Sequence, residues 1–205
     1  AENDDLNLIF ISNNFDVEET QRYNWEIMFK KSTDRGNTWP AHPERLTDDY
    51  GDSRFPTADC EGENIHVVWW DDMHDTIYEH VGYPPITPEP DHNFEIYYLK
   101  SENNGQTWGE IQRLTNAQGV SADPSIKVRD NFVGVVFGDN RTGKDGIYFK
   151  YSSDNGESWS DDILIDETNR AQHPSLDIDD QGNVYVVWTA KPENTLNVYC
   201  KKAMM

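Results

Sequence analysis

The sequence predicts an all-β protein built from repeated units of four antiparallel strands. Three observations lead to this class. An eight-residue phrase occurs three times, a run of alternating aromatic and β-branched residues precedes each copy, and a valine-rich segment recurs between the copies. Alternation with a period of two is typical of half-buried strands, and recurrence at a fixed spacing is typical of repeat architectures.

The repeated phrase reads Ser-x-Asp/Asn-x-Gly-x-Thr/Ser-Trp and predicts a hairpin turn. An Asp or Asn side chain accepts hydrogen bonds from turn N–H groups, Ser does so more weakly, and glycine supplies a positive φ. The tryptophan is expected to fold over the turn and cover its apolar side. The residues that carry the pattern are Ser32, Asp34, Gly36 and Trp39, then Ser101, Asn103, Gly105 and Trp108, then Ser152, Asp154, Gly156 and Trp159.

Each unit orders its segments in the same way. A proline segment begins the first strand, the valine-rich segment forms the second, the aromatic run before the turn forms the third, and a short Arg-Leu-Thr-like segment after the turn forms the fourth. In the third unit residues 163–165 take the place of residues 113–115. Four short strands per unit are the signature of a β-propeller blade.

The sequence therefore predicts one domain, residues 1–205, of about four blades. The blades are expected at residues 6–47, 53–115, 122–165 and 172–202, with the first and last incomplete and fourteen strands altogether. An arc of this kind would expose sheet faces and edges and would favour association, with a second copy completing the propeller as one arrangement.

The phrase resembles the Asp box, also called the BNR repeat, of sialidase-type β-propellers. The resemblance implies this fold, with Asp-box hairpins between the third and fourth strands. Asp boxes also occur in xyloglucan-cleaving glycosidases, sortilin-type receptors and photosystem assembly factors, so the motif indicates a fold more than a chemistry. Sialidase-type propellers have six blades, which is more than this chain provides.

Composition excludes several classes of function. The formal charge is -21, which argues against nucleic acid and anionic membranes as partners. No apolar run approaches the ~20 residues of a membrane-spanning helix. A secreted or extracytoplasmic protein with its signal peptide removed is expected. Cys60 and Cys200 are expected to be free, partly buried thiols, and no motif indicates a metal or cofactor, although the acidity suits calcium.

The candidate ligand-binding segment is the long connection at residues 71–93, which follows the second strand of its unit. Loops of this length are usually functional or disordered. Its aromatic and carboxylate side chains suit sugar recognition, and its histidines and aspartates show no diagnostic metal-ligand spacing. The predicted ligand-binding residues, including one from the loop 138–145, are Trp70, Asp72, His74, Tyr78, His80, Tyr83, His92 and Arg141.

The resemblance also implies a catalytic alternative. Sialidases grip the substrate carboxylate with an Arg in an Arg-Ile-Pro-like motif, which Ser53-Arg54-Phe55-Pro56 resembles, and Asp91 lies where their general acid/base Asp is expected. The family's second Arg is missing after the next strand, where Asp71-Asp72-Met73 stands. The repeat also places other residues, Asp123 and then His173 one residue later, at the position of Arg54, so ordinary repeat variation is the favoured explanation of this arginine.

Three functions remain open at this point. The first is a non-catalytic extracellular module that binds a carbohydrate or surface polymer. The second is an exo-sialidase-type glycoside hydrolase, with Arg54 and Asp91 as catalytic residues, that needs additional blades or subunits. The third is a structural propeller protein that assembles with itself.

Overall fold

The computed structural model describes residues 4–13, 25–49, 51–74, 93–167 and 170–203. In that part of the chain there are fourteen strands and one short 3-10 helix, Pro192–Asn194. The strands are β1 (Leu6–Ser12), β2 (Glu26–Ser32), β3 (Glu44–Arg45), β4 (Arg54–Glu61), β5 (Asn64–Asp71), β6 (Glu95–Ser101), β7 (Gln112–Arg113), β8 (Ser121–Arg129), β9 (Phe132–Asp139), β10 (Gly146–Ser152), β11 (Ile163–Asp166), β12 (Gln172–Ile178), β13 (Val184–Ala190) and β14 (Asn197–Ala203).

The strands form four meandering antiparallel sheets. The first sheet is β1-β2-β3, the second β4-β5-β6-β7, the third β8-β9-β10-β11 and the fourth β12-β13-β14. The all-β, antiparallel prediction is therefore confirmed. The described residues contain no helix that is long and apolar enough to cross a membrane.

The chain divides into two compact units. One comprises Ala1–Pro56 and Asp71–His92 and contains the first sheet. The other comprises Thr57–Trp70 and Asn93–Met205 and contains most of the second sheet with the third and fourth.

Three sheets pack face to face in the second unit. We call the face that a sheet turns to the next sheet along the chain its front face, and the opposite one its back face. The front face of the second sheet contributes Val68, Ile96 and Tyr98 to one apolar cluster, and the back face of the third contributes residues such as Val135 and Phe137. Each of these five side chains is fully buried.

The next pair of sheets repeats this packing. The front face of the third sheet contributes Val136, Ile147 and Phe149, and these pack against back-face residues of the fourth sheet such as Val186 and Trp188. Central strands such as β9 are thus buried on both faces, which explains why their sequences are almost continuously apolar rather than alternating.

The turns between third and fourth strands are held by their own polar side chains. Asp34 Oδ1 accepts hydrogen bonds from Ser32 Oγ at 2.7 Å and from the Thr38 backbone N–H at 2.8 Å. Asn103 Oδ1 accepts from the equivalent groups of the second turn, and Asp154 Oδ1 from those of the third. The Asn103 amide therefore replaces the carboxylate of the other two turns, because the turn needs a hydrogen-bond acceptor and not a charge. The glycines of the three turns have φ between 77° and 84°.

The tryptophans of these turns differ in what they cover. Trp39 Nε1 donates to the carbonyl of Gly36 in its own turn at 3.1 Å, as the sequence predicts. Trp159 instead donates to Gln112 Oε1 at 3.1 Å and packs edge-on against Tyr98, so that it covers the preceding sheet. The difference arises because the third sheet is stacked on the second, a relation that turn sequences alone do not show.

Two sequence-based expectations about local position were wrong. Cys60 and Cys200 are free, but they are exposed rather than partly buried. The proline segments are aligned by a shared backbone feature, a left-handed residue before each proline at Phe55, Asp123 and His173. Asp123 and His173 therefore correspond to Phe55, and the positions equivalent to Arg54 carry Ala122 and Gln172.

The register of β11 also corrects the alignment of the fourth strands. Leu164 pairs with Tyr148, as Arg113 pairs with Tyr97 and Arg45 with Met28. Leu164, not Ile163, therefore stands at the position of these arginines. Leu164 and Arg113 each stand five residues after the tryptophan of their turn, and the register shift of the β10–β11 ladder lies beyond Leu164, towards Asp166.

The turn geometry predicts that Asp154→Asn lowers the melting temperature less than Asp154→Ala does, because the amide keeps the acceptor oxygen. Hydrogen bonds from Ser158 and Ser152 hold the Asp154 pKa at about 2. Because this pKa is depressed, the charge-dependent part of the stabilisation is present above the ordinary carboxyl range and is lost as pH falls towards 2. Thermal denaturation at pH 7 and pH 3 measures both effects. Equal melting temperatures for the two variants at pH 7 would contradict the acceptor role.

Candidate functional site

A buried polar network lies between the third strand of the second sheet and the first hairpin of the third sheet. Arg113 Nη2 donates to Glu95 Oε1 at 2.8 Å, and Thr115 Oγ1 accepts from the Ile96 backbone N–H at 2.8 Å. Ser121 Oγ donates to Asp139 Oδ2 at 2.7 Å. The Glu95 side chain is only 1% exposed. Each charge is therefore compensated by a hydrogen-bonded partner, as burial requires.

The same network occurs in the first unit. Arg45 Nη2 donates to Glu26 Oε1 at 2.6 Å, and Thr47 Oγ1 donates to Glu26 Oε2 at 2.5 Å. Ser53 Oγ donates to Asp71 Oδ2 at 2.6 Å. A network that recurs at the same repeat positions is part of the scaffold.

The third such position, between the third and fourth sheets, has lost the network. Gly146 stands where Glu95 does, and Leu164 where Arg113 does. Ala171 and Ala190 replace Ser121 and Asp139. Ala171 and Ala190 belong to the apolar cluster between these sheets. Apolar residues and a glycine therefore replace both the charged pair and the polar pair of the network. This joint replacement is expected when each charged or polar residue of a network is compensated by the others.

The repeated scaffold makes it possible to identify what is particular to the first unit. Several residues of the first unit carry charge where the second unit has a neutral residue, Asp48 for Asn116 among them, and four others are taken together. They are Asp49 for Ala117, Asp52 for Val120, Arg54 for Ala122 and Asp72 for Asn140. A tryptophan, Trp25, also stands where the second unit has Phe94. We call these five residues of the first unit the added layer.

The added layer is one connected arrangement. Asp52 Oδ1 accepts from the Trp25 backbone N–H at 2.9 Å, and Asp52 Oδ2 accepts from Arg54 Nη2 at 2.8 Å. The Arg54 guanidinium carbon lies 5.9 Å from the centroid of the Trp25 ring, within the range of a cation–π contact. The Arg54 and Asp52 side chains are 35% and 30% exposed, so this edge of the layer is accessible to a ligand.

The inner edge of the added layer is acidic. Asp72 is buried, and its Oδ1 accepts from the Asp52 backbone N–H at 2.7 Å. Asp49 Oδ1 accepts from the Gly51 backbone N–H at 2.7 Å. Burial, together with the nearby charges of Glu26 and Asp72, raises the pKa of Asp49 to about 7. Asp49 is therefore a carboxyl group that exchanges its proton near neutral pH.

The structure places the residues predicted from the sequence in different surroundings. Arg54 and Asp72 lie together in the added layer. Trp70 is part of the second unit, where it packs edge-on against Phe94 with centroids 4.3 Å apart. His74 is exposed. Five predicted site residues lie outside the described part of the chain: Tyr78, His80, Tyr83, Asp91 and His92.

Arg141 has an internal role. Its guanidinium donates to Asp139 through Nε and Nη2, at 2.8 and 2.6 Å, and to Asp162 through Nη1 at 2.6 Å. It also lies over the Tyr148 ring, 4.4 Å from the centroid. The two carboxylates raise its pKa further above the ordinary arginine value. Arg141, which the sequence predicts as a ligand-binding residue, is thus held by two carboxylates of its own chain.

His66 is packed in the interior of the second unit. The ring is fully buried, with Nδ1 2.7 Å from the Tyr98 hydroxyl. Burial lowers its pKa to about 4, so the imidazole is neutral in the folded protein at neutral pH.

Sequence analysis missed three members of the added layer, Trp25, Asp49 and Asp52. A signal was present. Once the scaffold positions Thr47 and Ser53 are aligned with Thr115 and Ser121, residues 49 and 52 are charged in one repeat and apolar in the next. The contrast lies in a short loop, whereas the sequence prediction placed the site mainly on the longest loop, residues 71–93.

A second concave surface lies between loops of the third and fourth sheets. It is a polar pocket of about 510 Å³ lined by Gly143, Lys144, Asp145, Glu167 and Arg170. Within the described ranges no group of three or more His, Cys, Asp or Glu side chains is arranged to hold a metal ion. The suggestion that calcium binds stays a prediction.

Comparison with known proteins identifies the fold. No protein-family model matches the sequence, and no curated protein matches it significantly. Among solved structures, a thermostable family-43 glycoside hydrolase matches 99% of the chain with a TM-score of 0.59 and 11% identity. A Trypanosoma rangeli sialidase matches 96% with a TM-score of 0.62 and 14% identity. A leech intramolecular trans-sialidase matches 96% with a TM-score of 0.63 and 12% identity.

These likenesses show a sialidase-like β-propeller fold. The chain spans 69% of the glycoside hydrolase, 34% of the T. rangeli sialidase and 47% of the leech enzyme. At such identities the shared feature is the arrangement of the sheets rather than the residues of a site.

The scaffold network predicts strong coupling between Glu95 and Arg113. Arg113→Leu alone leaves a buried carboxylate without its cation and is expected to cost about 3 kcal/mol or more. Adding Glu95→Gln to Arg113→Leu is expected to recover part of that loss, because the remaining amide carries no charge. Urea denaturation of the two single variants and the double variant measures the coupling. Additive losses would show that the two residues act independently.

The Asp49 pKa predicts a pH-dependent gain of stability in Asp49→Asn. The unfolded chain loses this proton near pH 3.8, whereas the folded protein keeps it to about pH 7. The carboxyl group therefore costs stability increasingly as pH rises through that window. Asp49→Asn is expected to match the unsubstituted protein near pH 4 and to exceed its stability by about 1–3 kcal/mol at pH 8.

Urea denaturation between pH 4 and pH 8 measures this difference. The exposed residue Asp161 provides the matched control, because Asp161→Asn removes a carboxylate outside the layer. A constant difference between Asp49→Asn and the unsubstituted protein across the range would show that Asp49 has an ordinary carboxyl pKa.

Proposed function

We propose that this protein is a carbohydrate-binding propeller module whose ligand contacts the added layer. The observation that carries the proposal is the contrast between repeats: charged residues at positions 49, 52, 54 and 72 stand where the second unit has neutral ones. The scaffold network of Glu, Arg, Thr, Ser and Asp is complete in both units, so packing does not require the extra charges.

The chemistry of the layer suits sugar hydroxyl groups. Carboxylate oxygens of Asp49 and Asp52 are strong acceptors, and the Arg54 guanidinium offers donors in a planar fork. The Trp25 ring provides an apolar surface of the kind on which a sugar ring stacks. Because Asp52 and Arg54 already hold each other at 2.8 Å, they are oriented before a ligand arrives, which lowers the entropy cost of binding.

The balance of charge favours a neutral glycan over an acidic one. Arg54 and Arg45 lie among six carboxyl groups of the first unit: Glu26, Asp48, Asp49, Asp52, Asp71 and Asp72. An anionic sugar would have to displace Asp52 from Arg54 and approach the remaining carboxylates. A neutral polysaccharide meets neither cost, and it is consistent with a chain of formal charge -21.

Glycoside hydrolysis is the second candidate, and Asp49 is the observation that favours it. A carboxylic acid with a pKa near 7 has the property that a general acid needs, and glycosidases use a protonated carboxyl group beside an ionised one. Solved structures of similar fold include sialidases and a glycoside hydrolase. The sialidase assignment of Arg54 and Asp91 stays a prediction, because Asp91 lies outside the described residues.

Titration with neutral hexasaccharides of glucose and xylose, and with sialyllactose, tests the proposal. Asp52→Ala and Arg54→Ala are each expected to weaken binding of a neutral ligand about tenfold or more, the effect of losing a charge-assisted hydrogen bond. Arg129→Ala is the matched control, because Arg129 is also 35% exposed and paired with one aspartate. It is expected to bind like the unsubstituted protein.

Two outcomes would contradict the proposal. Equal losses in Arg54→Ala and Arg129→Ala would show that the layer is not the site. Cleavage of an oligosaccharide during the titration, abolished by Asp49→Asn, would establish hydrolysis instead of binding. The extracytoplasmic location expected from the sequence stays a prediction, which detection of the native protein in cell fractions would test.

A further inference from the structure

We infer that this chain associates head to tail, the front face of the fourth sheet of one copy packing against the back face of the first sheet of a second copy. The inference is independent of the carbohydrate proposal. It rests on two exposed sheet faces that are complementary halves of a contact which the chain already makes twice internally.

The first half of the contact is the front face of the fourth sheet. Antiparallel register aligns Val187, Val198 and Cys200 with Val136, Ile147 and Phe149 of the third sheet. The three residues of the third sheet are at most 2% exposed. Their counterparts are uncovered: Val187 is 40% exposed, Val198 is 75% exposed, and Cys200 is exposed.

The second half is the back face of the first sheet. Register with β2 aligns Leu6, Leu8 and Phe10 with Val184, Val186 and Trp188, which the fourth sheet buries against the third. Leu6 and Leu8 are 48% and 44% exposed. Among the described residues, the first and fourth sheets therefore present exposed apolar side chains on a back face and a front face of the same kind of interface.

The sizes of the residues on the two faces compensate each other. Phe149 packs in the same cluster as the valines Val184 and Val186. On the open front face the position of Phe149 is taken by the smaller Cys200, and on the open back face the two valines are replaced by the larger Leu6 and Leu8. A small residue opposite larger ones conserves volume, which is what close packing requires.

A second copy of this chain is thus the occupant that the observations fit. Apolar residues exposed at these fractions on one sheet favour association, and the contact is heterologous because the two faces differ. Such a contact produces a ring if the rotation closes and a filament if it does not. The internal stacks of the second, third and fourth sheets supply the geometry of each contact.

Sedimentation velocity of the chain over a range of concentrations is the first test. We expect a species of at least two copies, and Val198→Asp on the front face or Leu8→Asp on the back face is expected to reduce it to monomer. Ile111→Asp is the matched control, since Ile111 is 38% exposed and lies on neither face. Circular dichroism and thermal melting check that each variant is folded.

Mixing the two monomeric variants separates a head-to-tail contact from a symmetric one. Val198→Asp retains an intact back face and Leu8→Asp an intact front face, so an equimolar mixture is expected to form a dimer through the one remaining contact. Neither variant alone does so. A mixture that stays monomeric, or an unsubstituted chain that is monomeric at every concentration, would overturn the inference.

Disulfide capture tests the contact directly. In a Cys60→Ser background, Leu8→Cys is expected to form an oxidised dimer with Cys200 of another copy, and Ile111→Cys is not. The dimer should disappear when Cys200→Ser is added. Equal cross-linking of Leu8→Cys and Ile111→Cys would show random collision of exposed thiols rather than the inferred interface.

Discussion

The packing of the front face of one sheet on the back face of the next is the interaction on which the rest of this structure depends. A strand such as β9 is apolar on both sides, so a sheet that contains it needs a neighbour on each face. The hydrophobic clusters on the two faces of the third sheet meet this need. Within the second unit, the described turns and the polar network of Glu95 and Arg113 lie at the edges of these stacked sheets.

The buried polar networks show how the edges of the stacks are satisfied. Glu95 and Arg113 are tolerated at the margin of a hydrophobic cluster because every charge has a partner, and the corresponding residues between the third and fourth sheets are Gly146 and Leu164. Both arrangements close the same kind of junction. The polar network provides a fixed set of hydrogen bonds, and the added layer of the first unit adjoins a network of this polar kind.

Much of the negative charge of the chain has local structural roles. Asp34 and Asp154 close hairpin turns, and Asp179 closes another by accepting hydrogen bonds from Asn183 and Tyr185. These hydrogen bonds lower the pKa of each of the three carboxyl groups. Asp49 shifts in the opposite direction because burial beside other carboxylates opposes ionisation. The direction of the shift separates carboxylates whose hydrogen bonds favour ionisation from one whose burial opposes it.

The sequence by itself determined the strand order, the turns and the all-β class, because these depend on local periodicity and on side chains that bond to their own backbone. It also identified Arg54 and Asp72 as candidate site residues. Only the tertiary structure decided that Trp25, Asp49 and Asp52 join them, since residues far apart in the chain meet at a junction between strands. It likewise decided the alignment of Leu164, which is fixed by strand pairing with Tyr148, and the exposure of Cys200, which depends on whether another sheet covers its face.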